Sequence, residues 1–598
     1  MHMITHRVSR SFVVAVSGLL PAGFASNAAS AQVPLFEEVA VAGDRVAGVL
    51  GAEFAGLGRF PSGPAVSAGG GVTLFGTIAV DRDNLPPEER LALLARVGGG
   101  LRLLAGVGSR LDDLDRATIS ELSGPLGVSD AGAVLFNATL EGPGVVASND
   151  RVLVFASSGR LETVVRTGAP APGAGGDLFD SVTGGAINDS ERIAFGASLR
   201  SPESPPGADC GGSAVFFAAD GAAPRLIARE GGIAPGSGGE MFSCSLSAPQ
   251  IDDRDSVLIA VRLESSVPGS ETRQALYAWS EADGLAPVAI DGQVAPGVPG
   301  FEFAGFSSPV LDPRGDFVVG AGLRRIEFEP GAEEFGSALY VGDAASDAGS
   351  LRPVLVSGDR VPDDRDEVFV TFIAPTIGGS GAVAFAAIVE RSRDNAGALS
   401  SKALFLADGE VIEIARDGEP APGADGAVFD RLGTAGAPSV NESGDVAFIA
   451  SLRDITGDRS GRGLFVYDRA ERVTRLLVRE GGLFERTGGE TATIGRIAFS
   501  SPRGPRVTGL GDGKREVAYS LAFDDGSSGV FRTALPLPCS AADLGEPFGS
   551  TSSSDIGAFL GLFFEGSFRA ASLAEPAGVA SQADVAEFVR LFFEGCGN

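Results

Sequence analysis

Short apolar runs of five to eight residues recur along the chain, and Gly, Pro, Asp or Asn separates one run from the next. Runs of this length between turn-forming residues are typical of β-strands. In the segment 441–452 both alternating sets of side chains are apolar or small: Val446, Phe448, Ala450 and Leu452 on one face, and Ala447, Ile449 and Ser451 on the other. Since both faces then need burial, the pattern predicts sheets that are sandwiched between neighbouring sheets.

The segment 441–452 is one of eight related copies. The matching aromatic or aliphatic position of each copy falls at Phe75, Phe136, Phe195, Ile259, Val319, Phe385, Phe448 and Tyr519. The copies therefore repeat about every 63 residues. Each continues with a second and a third apolar run, and then a Pro/Gly turn followed by phenylalanine, as in residues 169–179. Four strand-like runs per copy predict the four-stranded blades of a β-propeller.

The two chain ends carry incomplete copies. The N-terminal part starts in mid-repeat, with the third run at 36–44 and the fourth in a segment through Phe54 and Phe60, whereas the last copy supplies only 516–523 and 529–535. We therefore predict an all-β fold over residues 32–535: a closed propeller of about eight blades whose last blade takes two strands from each end. The alternatives are another closed β-repeat arrangement, or an open solenoid, which would leave two apolar edges uncapped.

Residues 1–31 have the pattern of a secretory signal peptide. Arg7 and Arg10 precede an apolar run at 12–20, and the small residues 29–31 form a cleavage site. The alternative, a retained membrane anchor, needs about 18 or more apolar residues, and this run is shorter and broken. The sequence therefore predicts an exported protein, at the cell surface or extracellular, with no transmembrane span in the mature chain.

Four cysteines bear on the same question: Cys210, Cys244, Cys539 and Cys596. An exported chain can form disulfides, and an even number of cysteines permits complete pairing. Their positions favour local pairs, Cys210 with Cys244 and Cys539 with Cys596, over the other two pairings. Free buried thiols are the alternative.

Composition excludes several classes of function. The two histidines, His2 and His6, lie within the predicted signal peptide, which excludes histidine-based catalysis and histidine-ligated zinc or haem from the mature chain. The formal charge of −30, with 47 basic and 77 acidic residues, argues against nucleic acid as a partner. One Trp and four Tyr against 38 Phe leave few aromatic platforms for sugars.

Carboxylates are the remaining acid–base groups, and they form four dense clusters: Asp81–Asp83, Asp112–Asp115, Asp252–Asp255 and Asp363–Glu367. Their spacing fits no calcium motif and they occupy different phases of the repeat, so we interpret each as a solvated loop. No catalytic, cofactor-binding or metal-binding residue is assigned, and no cofactor is predicted. A scaffold or protein-binding role is favoured, and the alternative is a carboxylate-based extracellular glycosidase or lyase.

Residues 536–598 form a separate small module, because 543–566 and 572–595 repeat each other at a spacing of 29 residues. Each copy has apolar residues at helical spacing. The two apolar faces are Ile556, Phe559, Leu560 and Phe563, and Val585, Phe588, Val589 and Phe592. The module is therefore predicted to contain two helices.

Two resemblances extend this interpretation. The pattern Asn-x-x-Gly-x-x-x-Ala-Phe, complete at Asn441, Gly444, Ala447 and Phe448, resembles a family of exported bacterial tandem-repeat proteins with varied C-terminal anchors. The pattern is incomplete elsewhere, where Asp replaces the Asn or the Gly is missing. This resemblance implies architecture and location but no reaction.

The C-terminal module resembles a divergent dockerin-like anchor that ends in Gly-Cys, here Gly595 and Cys596. A usual dockerin loop needs oxygen ligands at positions 1, 3, 5 and 12. Those positions hold Asp543, Gly545, Pro547 and Ser554 in the first copy, so calcium binding is not expected. The resemblance implies a protein partner on the cell envelope or in an extracellular assembly, and we expect a monomer.

Overall fold

The computed structural model describes residues 36–535, apart from short loops, and three parts of the C-terminal region. The loops left out are 47–48, 50–51, 58–62, 67–70, 83–84, 97–100, 115, 158, 205–211, 220, 266, 268–270, 327–334, 346–349, 363–365, 392–398, 455, 487–489, 501–508 and 512–514. The described C-terminal residues are 556, 559–560 and 582–594.

Eight antiparallel sheets follow one another along the chain and form the blades of a β-propeller. Blade 1 contains Ala52–Leu57 with the short extension Ala65–Val66, Val72–Arg82, Leu85–Arg96 and Leu101–Gly106. Blade 2 contains Thr118–Val128, Val134–Glu141, Arg151–Ser157 and Arg160–Arg166. Blade 3 contains Leu178–Ile187, Ile193–Arg200, Ser213–Ala218 and Arg225–Arg229. Blade 4 contains Met241–Leu246 with Gln250–Ile251, Val257–Glu264, Arg273–Ser280 and Gly284–Ile290.

The second half of the ring has the same construction. Blade 5 contains Phe301–Phe306 with Val310–Leu311, Asp316–Arg325, Phe335–Asp343 and Arg352–Val356. Blade 6 contains Glu367–Ile377, Val383–Arg391, Leu399–Asp408 and Glu410–Arg416. Blade 7 contains Val428–Asp430 with Ser439–Val440, Val446–Arg453, Arg459–Asp468 and Val473–Arg479. Blade 8 contains Thr491–Ala498, preceded by Leu483–Glu485, then Glu516–Phe523, Ser528–Ala534 and, from the other chain end, Phe36–Val41.

Strands are numbered first to fourth within each blade in this order. From blade 2 to blade 7, the first strands of neighbouring blades contact one another around the propeller axis. The predicted all-β propeller of eight four-stranded blades is therefore confirmed.

The apolar core lies between the blades. Each of the eight buried clusters combines residues of two adjacent blades. Phe448 belongs to a cluster with Leu404 of blade 6. The preceding residue, Ala447, points to the opposite face and belongs to a cluster with Tyr519 of blade 8. The prediction that these strands are buried on both faces is confirmed, and no blade has a core of its own.

Paired aromatic rings mark the repeat position within the blades. In four blades the rings on the second and third strands lie directly opposite each other and stack: Phe195 on Phe216, Phe385 on Phe405, Phe448 on Phe465, and Tyr519 on Phe531. Ring centroids in these pairs are 5.4–6.1 Å apart, with interplanar angles of 14–29°. Such pairs add to the stabilisation that burial alone provides.

A glycine with positive φ begins each connection from one blade to the next. The eight glycines are Gly43, Gly108, Gly168, Gly231, Gly292, Gly358, Gly418 and Gly481, with φ between 72° and 99°. The amide of Gly168, for example, donates to the carbonyl of Phe179 at 2.7 Å. A side chain is strained in this left-handed conformation, so the repeat needs Gly at these positions.

The ring closes through pairing of the two chain ends. Phe36–Val41 is the fourth strand of blade 8 and pairs antiparallel with Ser528–Ala534. The other two strands are Thr491–Ala498 and Glu516–Phe523, while Ala52–Leu57 already belongs to blade 1. The prediction of two strands from each end was wrong: the N-terminal end supplies one strand and the C-terminal end three. The reason is that the fourth run of each repeat pairs with the first run of the following copy.

Ionic and aromatic contacts reinforce this closure. Glu37 on the N-terminal strand binds both Arg96 of blade 1 and Arg532 of blade 8. The ring of Phe36 lies 5.4 Å from that of Phe531 in an edge-to-face arrangement. The N-terminal strand therefore contacts both blades that it has to join.

The C-terminal region contains the helix Gln582–Glu594, as predicted for the second copy of the module. Phe588 is buried and stacks on Phe559 of the first copy, with ring centroids 4.1 Å apart. Most of the first predicted helix, Phe563 included, lies outside the described residues. Four apolar side chains are 38–45% exposed, and we call them the module patch: Ile556, Leu560, Val585 and Val589.

Removing the N-terminal strand should destabilise the whole ring. Deletion of residues 36–41 leaves blade 8 with three strands and separates the apolar cluster shared by blades 8 and 1. We expect a markedly lower midpoint and a broader transition in thermal unfolding followed by circular dichroism. Phe36→Ala, which keeps the strand, should cause a smaller loss. An unchanged cooperative transition in the deletion variant would contradict closure by this strand.

Removing one ring of a stacked pair should destabilise the protein strongly. Phe385→Ala empties a fully buried position between blades 5 and 6, and we expect a loss of about 3–5 kcal/mol in the free energy of unfolding, measured by urea titration. Phe335→Ala is the matched control, because that side chain is 59% exposed. Equal effects of the two substitutions would refute the assignment of Phe385 to the core.

Candidate functional site

The turns between the first and second strands lie on one face of the propeller and form what we call the turn ring. Six of these turns are described, and each spans five residues: 129–133, 188–192, 252–256, 312–316, 378–382 and 441–445. The amide of the first residue donates to the carbonyl of the fifth at 2.7–3.1 Å in all six. The turn ring surrounds the axis, where propellers commonly bind ligands, and is therefore the first candidate site.

The repeat motif is the signature of this turn. Oδ1 of Asn441 accepts the amides of the third and fifth turn residues at 3.0 and 2.9 Å, and Oδ1 of Asp312 does the same at 2.8 and 3.0 Å. The fourth residue has positive φ, 78° at Gly444 and 96° at Gly315. Where the Gly is missing, Glu191 adopts a φ of 58°. The Asn/Asp and Gly of the repeat are thus turn residues.

Hydrogen bonds also link one turn to the next. Nδ2 of Asn188 donates to the carbonyl of Asp252 at 2.8 Å and to Oδ1 of Asp255 at 2.7 Å. The amide of Asp189 donates to Oδ1 of Asp253 at 3.1 Å. The interpretation of cluster Asp252–Asp255 as a solvated loop is wrong for Asp252, which is fully buried. The reason is that this carboxylate closes its own turn.

Two other acidic clusters also have structural contacts. Oδ2 of Asp112 accepts the amide of Leu161 at 2.9 Å, which joins a connecting loop to an outer strand. Glu367 is largely buried and pairs with Arg416 at 2.8 Å. The loop interpretation is therefore wrong for Glu367 as well. Residues 83, 115 and 363–365 of these clusters, and the side chains of 81–82, lie outside the description.

Asp312 has the most perturbed environment among these carboxyls. It is 1% exposed, and its Oδ2 has no hydrogen-bond partner among the described residues. Burial, together with the negative charge of the nearby Asp316, raises the pKa of Asp312 to about 7, against the opposing effect of the amides that bind Oδ1. Asp312 therefore remains largely protonated at mildly acidic pH.

A cleft of about 640 Å³ opens beside the turn ring, between blades 5 and 6. We call it the 5/6 cleft. Its buried inner wall is apolar and consists of Val341, Ile377, Val383 and Ala407. Its charged residues are Asp316, Asp343, Arg352, Asp408 and Glu410. The cleft combines an apolar interior with a predominantly acidic margin, and it is the second candidate site.

Other candidate groups do not form a reactive site in the described part of the chain. Trp279 is buried against Phe217 and lies under Arg225, so it is not a platform for sugars. Cys244 is exposed on blade 4, and because Cys210, Cys539 and Cys596 lie outside the described residues, their pairing stays a prediction. Within the described ranges no group of three or more His, Cys, Asp or Glu could hold a metal. No described helix is long and apolar enough to cross a membrane.

Eight blades closed by an N-terminal strand define the protein as a β-propeller. Within that class, the chain belongs to the family described as "Family of unknown function (DUF7453)", whose model matches residues 28–335 and 331–542. A comparison with curated proteins gives no significant match.

Several solved propellers are similar in fold. The β-propeller domain of the Trilobed protease from Pyrococcus furiosus is 12% identical, with 70% of this chain and 96% of that chain covered and a TM-score of 0.33. The polysaccharide lyase Uly1 is 10% identical, with coverages of 67% and 88% and a TM-score of 0.32. The α-L-arabinanase of Penicillium chrysogenum is 15% identical, with coverages of 60% and 93% and a TM-score of 0.24. These values are too low to transfer a function.

The environment of Asp312 predicts a pH-dependent stability. Its pKa is about 7 in the folded state and near 3.8 when unperturbed, so the folded state binds more protons between these values. Stability should therefore fall as pH rises from about 4 through 7. Asp312→Asn keeps a side-chain oxygen that can accept the two turn amides, as Oδ1 of Asn441 does, but removes the buried negative charge. We expect the substitution to raise the free energy of unfolding at pH 8 by up to roughly 4 kcal/mol. Urea unfolding at pH 4 and pH 8 measures this.

The reverse exchange is the matched control. In the wild type, Nδ2 of Asn441 donates to Oδ2 of Asp445 at 3.1 Å. Asn441→Asp removes this donor and places a second carboxylate next to Asp445. It should destabilise the protein at pH 8 and less at pH 4. If Asp312→Asn leaves the pH dependence unaltered, Asp312 is not the group that causes it.

Proposed function

We propose that this protein is an exported β-propeller that binds protein partners and is attached to the cell surface or to an extracellular assembly by residues 536–598. The signal-like pattern of residues 1–31 supports export. The observation that carries the attachment role is the module patch, four exposed apolar side chains on a small helical unit. The ligand of the propeller is a separate question.

The module patch is larger than its own fold requires. Phe559 and Phe588 already bury the contact between the two copies, with ring planes only 11° apart. Ile556, Leu560 and Val589 remain 41–45% exposed. Exposed apolar side chains beyond those that a fold buries are typical of interaction surfaces. This supports the dockerin-like role that the sequence resemblance implies.

The turn ring supports a binding role for the propeller more than a catalytic one. An acidic active site needs carboxylates that reach a substrate. In the turn ring Asp252, Asp312 and Asp445 are buried and bind backbone amides. Asp252 and Asp312 bind amides of their own turns, and Asp445 binds the amide of Arg469 and the guanidinium of Arg515.

One observation favours the alternative, a carboxylate-based glycosidase or lyase. Asp312, with a pKa raised to about 7, lies beside Asp316, and such enzymes use a pair of carboxyl groups. Asp312 is, however, only 1% exposed, which leaves its proton out of reach of a substrate. Polysaccharide hydrolysis or cleavage that disappears in Asp316→Asn would establish the enzyme.

Localisation of full-length variants tests the attachment role. In the native host, Val589→Glu puts a charge into the module patch and should release the protein from the envelope fraction into the medium. Ala586→Glu is the matched control, since it adds the same charge at another exposed position of the helix Gln582–Glu594, and it should remain attached. Immunoblots of the two fractions measure the distribution.

Retention of Val589→Glu at the wild-type level would exclude the module patch as the attachment surface. Circular dichroism of each purified variant shows whether the fold is kept, so that release through unfolding is distinguished from loss of attachment.

A further inference from the structure

We propose that the 5/6 cleft binds a guanidinium group, the side chain of an arginine on a partner polypeptide. The inference rests on the proposed protein-binding role and specifies the chemistry of the partner. It depends on a comparison of this cleft with its two neighbours around the ring.

The neighbouring clefts are occupied by arginines of the chain itself. Between blades 4 and 5, Arg254 pairs with Asp343 at 2.7 Å and lies against the turn of blade 5, where a Cβ on Gly315 would meet its guanidinium at 1.7 Å. Between blades 6 and 7, Arg469 pairs with Asp408 at 3.1 Å. In both places a guanidinium of one blade pairs with a carboxylate of an adjacent blade, the following blade for Arg254 and the preceding blade for Arg469.

The 5/6 cleft lacks both arginines. Arg469 follows the third strand of blade 7 directly, and Gly409 follows the third strand of blade 6 in the same position. Arg254 is the third residue of its turn, and its equivalent in blade 5 is Arg314. Arg314 does not turn into the cleft but pairs with Glu442 of blade 7. Neither position therefore supplies an arginine to the 5/6 cleft itself, although Asp343 and Asp408 on its margin pair with Arg254 and Arg469 of the neighbouring clefts.

The path of Arg314 depends on two glycines in blade 6. The turn of this blade starts with Gly378 and Gly379, where the other five described turns carry Ser, Asn or Asp at the first position and Asp, Pro or Glu at the second. A Cβ on Gly379 would lie 2.9 Å from Cγ of Glu442, and a Cβ on Gly378 would lie 2.6 Å from the carbonyl oxygen of Asn441. Because this turn has no side chains at Gly378 and Gly379, Arg314 of blade 5 can reach Glu442 of blade 7 past blade 6. This ion pair keeps Arg314 out of the cleft.

The lining of the cleft suits an arginine. The apolar inner wall can pack against the methylene groups of the side chain. Asp316 is half-buried and makes no ion pair with any described residue, so it can accept a bidentate guanidinium. Glu410 lies on the opposite wall, as a second acceptor that Arg469 and Arg472 already share.

Arg352 offers a second contact, to the backbone of the partner polypeptide. It is exposed on the wall formed by blade 5 and has no ion pair among the described residues. Its guanidinium can donate to a backbone carbonyl of the partner. The chain's net charge of −30 further favours a basic polypeptide, because long-range attraction speeds its association.

Calorimetric titration of the full-length protein tests this inference directly. The probe is N-acetyl-L-arginine amide at low salt, and its neutral isostere N-acetyl-L-citrulline amide is the comparison. We expect saturable binding of the arginine compound, at least tenfold tighter than that of the citrulline compound, and weakened by added salt. Equal affinities for both, or no saturation with arginine, would overturn the proposal.

Three variants locate the binding. Asp316→Asn should weaken arginine binding about tenfold, and Gly409→Arg should abolish it by supplying the guanidinium from the chain itself. Glu264→Gln is the control, an exposed glutamate at the end of its strand opposite the turn ring, and it should bind as the wild type does. Binding that is unchanged in Asp316→Asn would exclude this cleft.

The test separates the inference from the proposed function. It uses purified protein and a small probe, so its outcome does not depend on attachment to the envelope. If the protein stays on the envelope through residues 536–598 but does not bind the arginine compound, the proposed attachment stands and only the arginine site is refuted.

Discussion

Burial of every blade on both faces is the constraint on which the rest of the structure depends. The eight apolar clusters lie between blades, so each sheet needs two neighbours before its side chains leave water. A linear array of such sheets would always expose two apolar faces. Pairing of Phe36–Val41 with Ser528–Ala534 removes both faces at once. The repeat in the sequence, the stacked aromatic rings and the closed ring therefore have one physical origin.

The same repetition explains why the acidic residues are poor guides to chemistry here. Asp and Asn recur at the turn ring because a short acceptor can bind two amides of a tight turn. Asn188 extends this to the next blade by donating to Asp252 and Asp255. The Asp and Asn side chains that suggest a candidate site in the sequence therefore stabilise the turns and link neighbouring blades. Differences between copies, such as Gly409 in place of Arg469, are the more informative positions.

The sequence predicts the elements of this fold well and their assignment to blades less well. Alternation around Phe448 correctly indicates two buried faces, because period-two patterns are local. The assignment of Ala52–Leu57 failed, since that strand pairs with the second strand of blade 1 and not with its predecessor in the repeat. Burial of Asp252 and the 5/6 cleft were also beyond prediction. They depend on where side chains of adjacent blades end, as the pairing of Arg314 with Glu442 illustrates.

Closure by the N-terminal strand also determines the order in which the parts of the propeller can fold. Glu37 and Arg532 are 495 residues apart in the chain, so the first strand to be synthesised finds its partner only after almost all other blades exist. Until then Phe36–Val41 is an unpaired strand with an apolar side, the kind of edge that recruits other chains. Contacts between such distant segments form slowly. If the export that residues 1–31 predict takes place with the chain unfolded, translocation delivers both ends to one compartment before this strand has to pair.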